Sequence, residues 1–385
     1  RAARGNSEPT RRVQRAQTLL QAVPYAHAGQ LCVIHAGTPY RLLTDVETER
    51  TYQMQPRSSI RTQTDDVASV RRYLRLKKDD IEHSQRSCGR DGAVDYPMMA
   101  TTASASPLAI EFCGLRFNSP IVLLSGCVGF GDEYTRVEGF SNRDAGAVVL
   151  KGTTLEPRLG NPPHRIYETP MGMLNAIGLQ NPGVDHVVSA ILPTLDFSET
   201  RFIANVCGST IEEYAEVTRR FDDSPIDAIE INISCPNIKE GGVQFGNYPE
   251  MSARVVAACR AATKKPLITK LSPNQTDIRE NARLCIEAGT DALAVINTVM
   301  GMAIDTATRR PVIGNIQGGL SGPAIKPIAL LKVHQVYEVA RKHNVPIIGQ
   351  GGICSANDAL EFLIAGASAV GVGTALFYDP LVCKK

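Results

Sequence analysis

The chain contains the sequence Ala147-Val148-Val149-Leu150-Lys151, with Gly152 next. Four successive apolar residues with no polar alternation predict a strand that is buried on both faces, as the strands of parallel sheets are. This strand closes on a lysine, and a charge at the end of an apolar element is costly unless it has a partner. We therefore predict a buried parallel strand whose carboxyl end bears a side chain with a chemical role.

Similar β-forming runs recur along the chain and make eight in all. They are Ile121–Ser125, Ala147–Lys151, Phe202–Val206, Ala228–Ile233, Leu267–Leu271, Ala292–Asn297, Pro346–Gly349 and Ala369–Gly373. Helical patterns lie between most of them, at Thr210–Phe221, Tyr248–Thr263, Ile278–Ala288, Ile325–His343 and Ala356–Ala365. Eight buried strands that alternate with helices predict a (β/α)8 barrel, the TIM barrel of the α/β class.

Local patterns refine this barrel. Ala109–Phe117, centred on Gly114, predicts a hairpin ahead of the first strand, and Thr210 and Glu213 have the spacing of a capping box. Only twelve residues follow Gly373, so we expect the last helix to be missing or cut short. An open doubly wound sheet is the alternative fold, but the glycines of residues 125–131 lack the spacing of its dinucleotide-binding turn.

The chain divides by composition near residue 106. Residues 1–106 hold 16 of the 41 Lys and Arg but only 5 of the 32 Gly, and they show no sustained strand or helix period. We predict a polar, Arg-rich extension over 1–106, disordered or poorly packed, and a catalytic barrel domain over 107–385. An appended small module and an organelle transit peptide are the alternatives for the extension.

Charge and hydropathy narrow the class of protein. The net charge is +2 and the basic excess lies in the extension, so nothing points to nucleic acid. No run approaches the roughly 18 apolar residues that a membrane helix needs. The ten cysteines are scattered, none closer than Cys113 and Cys127, so the paired spacing of metal and iron–sulfur sites is absent. We expect a soluble, cytoplasmic protein without a metal, whose cysteines are reduced and mostly buried.

Polar residues and glycines gather where the predicted strands end. These ends carry Lys151, Asn205, Asn232 through Asn237, Lys270, Asn297-Thr298, Gly351-Gly352 and Gly373-Thr374. In TIM barrels the reacting groups lie at these ends, and the loops after strands seven and eight often bind phosphate through backbone N–H groups. We predict an active site there, with a phosphorylated ligand or cofactor at the two glycine-containing ends. Steric need is the alternative reason for glycine at such turns.

Four asparagines suggest what the site binds. Each amide offers one donor and one acceptor, and such groups match a neutral cyclic imide, in which C=O and N–H groups alternate around the ring. Support of turns is the alternative for any one of them. The four are Asn175, Asn232, Asn237 and Asn297.

One cysteine and two lysines suggest the reaction. Cys235 precedes Pro236 in a strand-end turn, where a stabilised thiolate can act as a base or nucleophile, whereas a cysteine without this context would be inert. Lys151 and Lys270 close apolar strands, and a flavin that becomes negatively charged on reduction would use such a cation. The alternative is that both lysines reach solvent over the barrel rim.

These segments resemble the class 1 dihydroorotate dehydrogenases, and in particular the 1B branch, the catalytic subunit of the NAD-linked enzyme. The likeness runs from about residue 107 to the end, in order and with family-like spacing. It is carried by Ser125-Gly126, Lys151 through Thr154, Gly160-Asn161-Pro162, Asn175 through Asn181, Ile203 through Val206, Asn232 through Asn237, Lys270 through Asn274, Ile296-Asn297-Thr298, Gly319 through Pro323, Gly351-Gly352-Ile353 and Gly373-Thr374.

The resemblance implies an FMN at the top of the barrel, with the substrate stacked on its ring. The FMN contacts would be Ser125, Lys151, Gly152, Asn205, Asn232, Lys270, Ile296, Gly322, Gly351, Gly352, Gly373 and Thr374. The substrate contacts would be Lys151, Asn175, Ala176, Ile177, Gly178, Leu179, Asn232, Asn237, Asn297 and Thr298. Cys235 would take the C5 proton of dihydroorotate while hydride passes from C6 to flavin N5, which yields orotate for pyrimidine biosynthesis.

The 1B resemblance also implies partners. It implies a homodimer joined by an electron-transfer subunit that carries FAD and a 2Fe–2S cluster and passes electrons to NAD. Gly152 stands where an alanine is commoner in the family, and the extension matches nothing in it. Two other functions remain open: the pyrimidine-reducing domain of dihydropyrimidine dehydrogenase, which usually has His at the position of Asn237, and a flavin-binding barrel without catalysis.

Overall fold

The computed structural model of the chain describes residues 106–233 and 245–385. Of the predicted extension only Ser106 falls within this part. Cys235 and Asn237, which belong to the turn after the fourth predicted strand, also lie outside the described residues.

A closed parallel barrel forms the centre of the described part. The strands of the barrel and of the smaller sheets are, in chain order, β1 Ile110–Phe112, β2 Leu115–Phe117, β3 Ile121–Leu123, β4 Ala147–Val149, β5 Ile166–Thr169, β6 Gly172–Asn175, β7 Arg201–Val206, β8 Ala228–Asn232, β9 Leu267–Leu271, β10 Ala292–Val295, β11 Val299–Gly301, β12 Ile304–Asp305, β13 Arg310–Pro311, β14 Gly318–Ser321, β15 Ile347–Gln350 and β16 Ala369–Val372. The barrel follows the order β3-β4-β7-β8-β9-β10-β15-β16, and β16 pairs back onto β3. The predicted (β/α)8 fold is confirmed, although five of the eight strands end one or two residues before their predicted ends.

The barrel strands bury both of their faces. In β4, Ala147 and Val149 belong to the core inside the barrel, and Val148 belongs to the core between barrel and helices. The same alternation holds in β7, where Ile203 points inward and Phe202 outward. Because both faces are apolar, the sequence of these strands shows continuous runs instead of alternation.

Seven α-helices lie within the described residues. They are α1 Val184–His186, α2 Ile211–Asp222, α3 Pro249–Ala262, α4 Ile278–Glu287, α5 Lys326–Ala340, α6 Ala356–Ile364 and α7 Ala375–Tyr378. Short 3-10 segments occupy Glu133–Arg136, Asn142–Asp144, Leu192–Thr194, Phe245–Asn247, Pro323–Ile325, Arg341–His343 and Val382–Lys384, and a π-helical turn occupies Val187–Ile191. The five predicted helices correspond to α2 through α6. After β16 only the four-residue α7 and a 3-10 turn follow, as expected for a short last helix.

The start of α2 shows half of the expected capping box. The Thr210 hydroxyl accepts a hydrogen bond from the Glu213 N–H at 3.2 Å. The Glu213 carboxylate, however, accepts from the Ser209 N–H at 2.6 Å. The helix start is therefore capped by two side chains, with the reciprocal bond displaced by one residue.

The predicted hairpin closes the amino-terminal end of the barrel. β1 and β2 pair around Cys113 and Gly114, both of which have positive φ angles, as a tight two-residue turn requires. Phe112 and Phe117 stack with ring centroids 5.2 Å apart and belong to the core inside the barrel. The Cys113 thiol reaches the Asp291 carbonyl just before β10. The hairpin therefore seals the end opposite the predicted site.

A second sheet was not predicted. It is antiparallel, in the order β11-β14-β6-β5, and its pairing joins Gly319 to Asn175 across 144 residues of chain. β12 and β13 form a separate two-stranded ribbon. The four strands hold three or four residues each and contain several glycines, so they lack the apolar pattern on which sequence prediction depends.

Candidate functional site

A cavity of about 370 Å³ opens where the barrel strands end. Its wall includes the residues that follow β4, β10, β15 and β16, together with Met173, Asn175, Gly319 and Ser321 from the antiparallel sheet. The volume lies within the range of pockets for small molecules and cofactors. Because the hairpin closes the other end, the barrel offers its carboxyl-terminal end to a ligand.

Most of the predicted site residues lie around this one cavity. Those that line it are Ser125, Lys151, Gly152, Asn175, Ile177, Gly178, Leu179, Asn205, Asn232, Lys270, Ile296, Asn297, Thr298, Gly322, Gly351, Gly352, Gly373 and Thr374. Ala176 is not among the lining residues, since its side chain is buried in a small apolar cluster with Leu174 and Ile313. Cys235 and Asn237 lie outside the described residues.

The polar floor of the cavity follows from strand alternation. Val149, Ile203 and Ile268 point into the barrel and belong to its inner core. The residues two positions further along these segments, Lys151, Asn205 and Lys270, line the cavity. Since side chains two residues apart in a strand share a face, the strands that build the apolar interior also present their last polar side chains to the ligand.

A buried carboxylate links two of these floor residues. The Asn205 amide nitrogen donates a hydrogen bond of 2.6 Å to Oε1 of Glu230, and the Lys270 ammonium lies 3.7 Å from the same oxygen. The side chains of Lys270 and Glu230 are 7% and 1% exposed. The alternative that Lys270 reaches solvent over the rim is therefore wrong, and the floor is held by a buried ion pair.

Amide groups of two strand ends meet on another side of the cavity. The Asn297 amide nitrogen donates to Oδ1 of Asn232 at 3.1 Å, and Oδ1 of Asn297 accepts from the Thr298 N–H at 2.8 Å. The Asn175 amide nitrogen donates to the Gly319 carbonyl at 3.3 Å, across the antiparallel sheet. These contacts hold three of the four predicted amides in defined orientations beside the cavity.

Glycines form a narrow corner of the wall. Gly352 has a φ of +89°, and a Cβ built on it would lie 2.8 Å from the Gly322 carbonyl oxygen. A Cβ on Gly322 would lie 3.5 Å from Cγ2 of Thr374, and the Thr374 hydroxyl donates to the Ser321 hydroxyl at 2.8 Å. The loops after β14, β15 and β16 thus converge, and both steric need and backbone access explain the glycines there.

The sequence did not single out Glu230, Gln350 or Cys127 as site residues. Gln350 lines the cavity and donates to the Ile296 carbonyl at 2.9 Å. Cys127 also lines it, and desolvation raises the pKa of its thiol to about 11 against a smaller lowering by the charge of Lys270. Strand alternation could have found Gln350, which follows the inward-facing Ile348 by two residues.

Within residues 106–233 and 245–385, no helix is both long and apolar enough to span a bilayer. In the same residues, no group of three or more His, Cys, Asp and Glu side chains is placed to hold a metal ion. Cys207, Cys259 and Cys285 are fully buried.

Comparisons with known proteins agree with the resemblance. The family model described as dihydroorotate dehydrogenase matches residues 107–385. The chain is 53% identical over 279 residues to the catalytic subunit of dihydroorotate dehydrogenase B (NAD(+)) from Trichlorobacter lovleyi. The aligned region covers 72% of this chain and 90% of that protein. It is 52% identical over 277 residues to the protein of the same name from Anoxybacillus flavithermus, with 72% and 87% covered.

A solved structure supports the fold. The crystal structure of the dihydroorotate dehydrogenase from Eimeria tenella in complex with ferulenol superposes with a TM-score of 0.59 at 24% identity, and covers 72% of this chain and 81% of that one. At this identity the likeness shows the barrel fold alone. With the family model matched over residues 107–385 and relatives above 50% identity, the chain belongs to the dihydroorotate dehydrogenase family, in its 1B branch.

Proposed function

We propose that this chain is the catalytic subunit of an NAD-linked dihydroorotate dehydrogenase, which oxidises (S)-dihydroorotate to orotate in pyrimidine biosynthesis. The observation that carries the proposal is the convergence of Lys151, Asn205, Asn232, Lys270 and the glycine corner on one cavity of about 370 Å³. These groups come from separate strands of the barrel and meet at its carboxyl-terminal end, where TIM barrels bind their ligands.

The residues around the cavity fit an FMN. Gly322, Gly351, Gly352 and Gly373 leave backbone N–H groups accessible, as a phosphate requires, and a Cβ at Gly352 would fill the space between two loops. Lys270 and Lys151 supply positive charge at the floor, suited to a ring that gains negative charge on reduction. We therefore propose Ser125, Lys151, Gly152, Asn205, Asn232, Lys270, Ile296, Gly322, Gly351, Gly352, Gly373 and Thr374 as the FMN contacts.

The amide side of the cavity suits the pyrimidine ring of the substrate. Asn232 and Asn297 are hydrogen-bonded to each other, which holds two amide groups side by side at the cavity, and such groups match the carbonyl and N–H groups of a pyrimidine ring. Lys151 lines the same cavity and would bind the substrate carboxylate. We propose these three residues as substrate contacts, together with Asn175, Ile177 through Leu179, Asn237 and Thr298.

We propose that Cys235 removes the C5 proton of dihydroorotate. What supports the role is its place in the chain, three residues after Asn232, which lines the cavity at the end of β8. The thiolate would accept the proton, and Lys151 with the amides would hold the ring in place while the C5–C6 bond becomes double. A bound FMN would supply the acceptor for the hydride that leaves C6.

The assembly and location are also proposals. The names of the relatives describe a catalytic subunit of an enzyme that uses NAD(+). Such an enzyme needs a route for electrons from the FMN to NAD, and we propose that a partner subunit with FAD and a 2Fe–2S cluster provides it. We propose further that two copies of this chain form the core of the assembly and that it works in the cytoplasm.

Anaerobic flavin bleaching tests the function. The FMN-loaded full chain is mixed with dihydroorotate in one arm and with dihydrouracil in the other, without any partner subunit. We expect the flavin absorbance to disappear with dihydroorotate and to persist with dihydrouracil. Bleaching by dihydrouracil alone would favour a dihydropyrimidine dehydrogenase, and no bleaching by either compound would leave a flavin-binding barrel without this catalysis.

A further inference from the structure

Glu230 is a buried carboxylate that neither the family resemblance nor the proposed reaction uses. It lies in β8, two residues before Asn232, and its register partner in β7 is Asn205. Its Oε1 accepts from the Asn205 amide at 2.6 Å and faces the Lys270 ammonium at 3.7 Å. Within the described residues its Oε2 is buried and has no hydrogen-bond partner.

This arrangement is costly for folding alone. An ionised carboxylate that is 1% exposed loses its hydration, and an oxygen without a partner adds to that cost. Replacement of a buried ion pair by apolar residues of similar volume is often neutral or stabilising. A carboxylate in this place therefore suggests a role in the electrostatics of the cavity above it.

The two partners of Glu230 both line the cavity. Asn205 and Lys270 belong to its floor, and both are among the proposed FMN contacts. A carboxylate below them partly neutralises the Lys270 charge and directs the Asn205 amide nitrogen downward, away from the ligand. Because the side chains of Glu230 and Lys270 are buried, solvent screens their charges little, and both charges act on a ligand that occupies the cavity.

We propose that Glu230 is a positioning residue that lowers the reduction potential of the bound FMN, by offsetting the positive charge of Lys270 and orienting Asn205. The inference rests on the proposed function only in taking FMN as the ligand of the cavity. Since added negative charge on a reduced flavin is stabilised by a nearby cation, removal of the carboxylate strengthens that stabilisation and raises the potential.

The test is the two-electron reduction potential of the FMN-loaded full chain, measured by titration with a chemical reductant against a reference dye. Glu230→Gln keeps the side-chain size and an acceptor for Asn205 but removes the charge. It should shift the equilibrium roughly tenfold towards reduced flavin, which is about 30 mV more positive for a two-electron couple. A potential equal to or below that of the parent overturns the proposal.

Asp227→Asn is the matched control. Asp227 lies just before β8, three residues from Glu230 and therefore about 10 Å away along the strand, and it pairs with Arg201 at 3.1 Å near solvent. The substitution removes the same charge but from a screened position at the closed end of the barrel, so the equilibrium should move by less than about twofold. An equal shift in both variants would also overturn the role assigned to Glu230.

A second variant covers the case in which Glu230→Gln does not fold with flavin. Glu230→Asp keeps the charge but withdraws it from Lys270 by one methylene group, so the potential should rise by a smaller amount, and an unchanged potential overturns the proposal. The chemical reductant makes this outcome independent of substrate. If dihydroorotate fails to bleach the parent flavin, the proposed function fails while the comparison of variants still decides the role of Glu230.

Discussion

The amide nitrogen of Asn297 donates a hydrogen bond of 3.1 Å to the amide oxygen of Asn232. This bond joins the segment after β10 to the end of β8, two strands of the barrel that are not neighbours. Both residues line the cavity, so the bond crosses the wall on which we place the pyrimidine ring. The bond holds both amide groups in fixed orientations, and we propose that both contact the substrate.

Asn297→Ala should therefore weaken orotate binding without loss of FMN. The substitution removes one donor and the bond from Asn297 to the Asn232 amide oxygen, and loss of a partly buried hydrogen bond costs about 1–3 kcal/mol, or roughly a factor of 5 to 150 in affinity. The measurement is a titration of the flavin spectrum with orotate. Asn357→Ala, on the exposed face of α6, is the control and should bind orotate as the parent does. Unchanged orotate affinity in Asn297→Ala would remove Asn297 from the substrate contacts.

Gly352→Ala should reduce FMN retention. A Cβ at this φ of +89° would meet the Gly322 carbonyl oxygen at 2.8 Å, which forces two loops of the glycine corner apart. Gly114→Ala is a matched control, because Gly114 has a φ of +75° and nothing lies within 4 Å of its Cβ position. Both variants should lose about 1–2 kcal/mol of stability from backbone strain, but only Gly352→Ala should purify with less FMN. Equal flavin content in the two would show that the corner does not hold the phosphate.

The ion pair behind the glycine corner should give a stability that depends on pH. Lys326 contacts Asp358 at 2.7 Å, and Asp358 also accepts from the Cys354 N–H. Burial acts to raise the pKa of Asp358, but the hydrogen bonds from Lys326, Cys354 and Ser355 outweigh it and hold that pKa below its usual value. Since a lowered folded-state pKa stabilises the protein above the unfolded value near 3.9, this contribution is lost as pH falls through and below that value.

Asp358→Asn tests this dependence. At pH 7 the free energy of unfolding of the variant should be about 1–3 kcal/mol lower than that of the parent, because a hydrogen bond to a charged group is lost. In urea titrations repeated at decreasing pH, the difference should narrow below about pH 4 as the parent carboxylate becomes protonated. A difference that stays constant down to pH 3 would mean that the charge of Asp358 does not contribute.

Residues 1–106 should be dispensable for the reaction. Among the described residues, the first that lines the cavity is Leu124, and the barrel begins at β3. We expect the chain without residues 1–106 to retain FMN and to be reduced by dihydroorotate within a few fold of the parent rate, as stopped-flow absorbance would show. Loss of flavin from the shortened protein would instead give the extension a part in the stability of the barrel.

The sequence predicted the barrel because its signals are local. Each strand is a short apolar run that ends in a polar residue or glycine, and burial of both faces is visible in any one run such as Ala147–Lys151. The positions of the cavity residues followed from the same pattern, since the last inward-facing residue of a strand, such as Lys270, points to the ligand.

The rest depends on contacts between distant parts of the chain. The antiparallel sheet pairs Asn175 with Gly319 through strands too short and rich in glycine to be recognised singly. Glu230 appears in the sequence only as a polar interruption of an apolar strand. The contacts of Glu230 depend on its register with Asn205 in β7 and on the proximity of Lys270 in β9. Both contacts form only when the strands pair in the closed barrel.

The account depends most directly on Cys235 as the base, and the decisive measurement is single-turnover flavin reduction by dihydroorotate in Cys235→Ser. General-base catalysis contributes about 10²–10⁴ in rate, and serine is a far weaker base than a thiol with a pKa near 8.5. We expect a loss of that size, with unchanged FMN content and orotate affinity, and a parent rate that rises with pH through a thiol-like pKa. Cys285→Ser, at a fully buried position on α4, should keep the parent rate. Full activity of Cys235→Ser at neutral pH would contradict the mechanism and require another group to remove the proton.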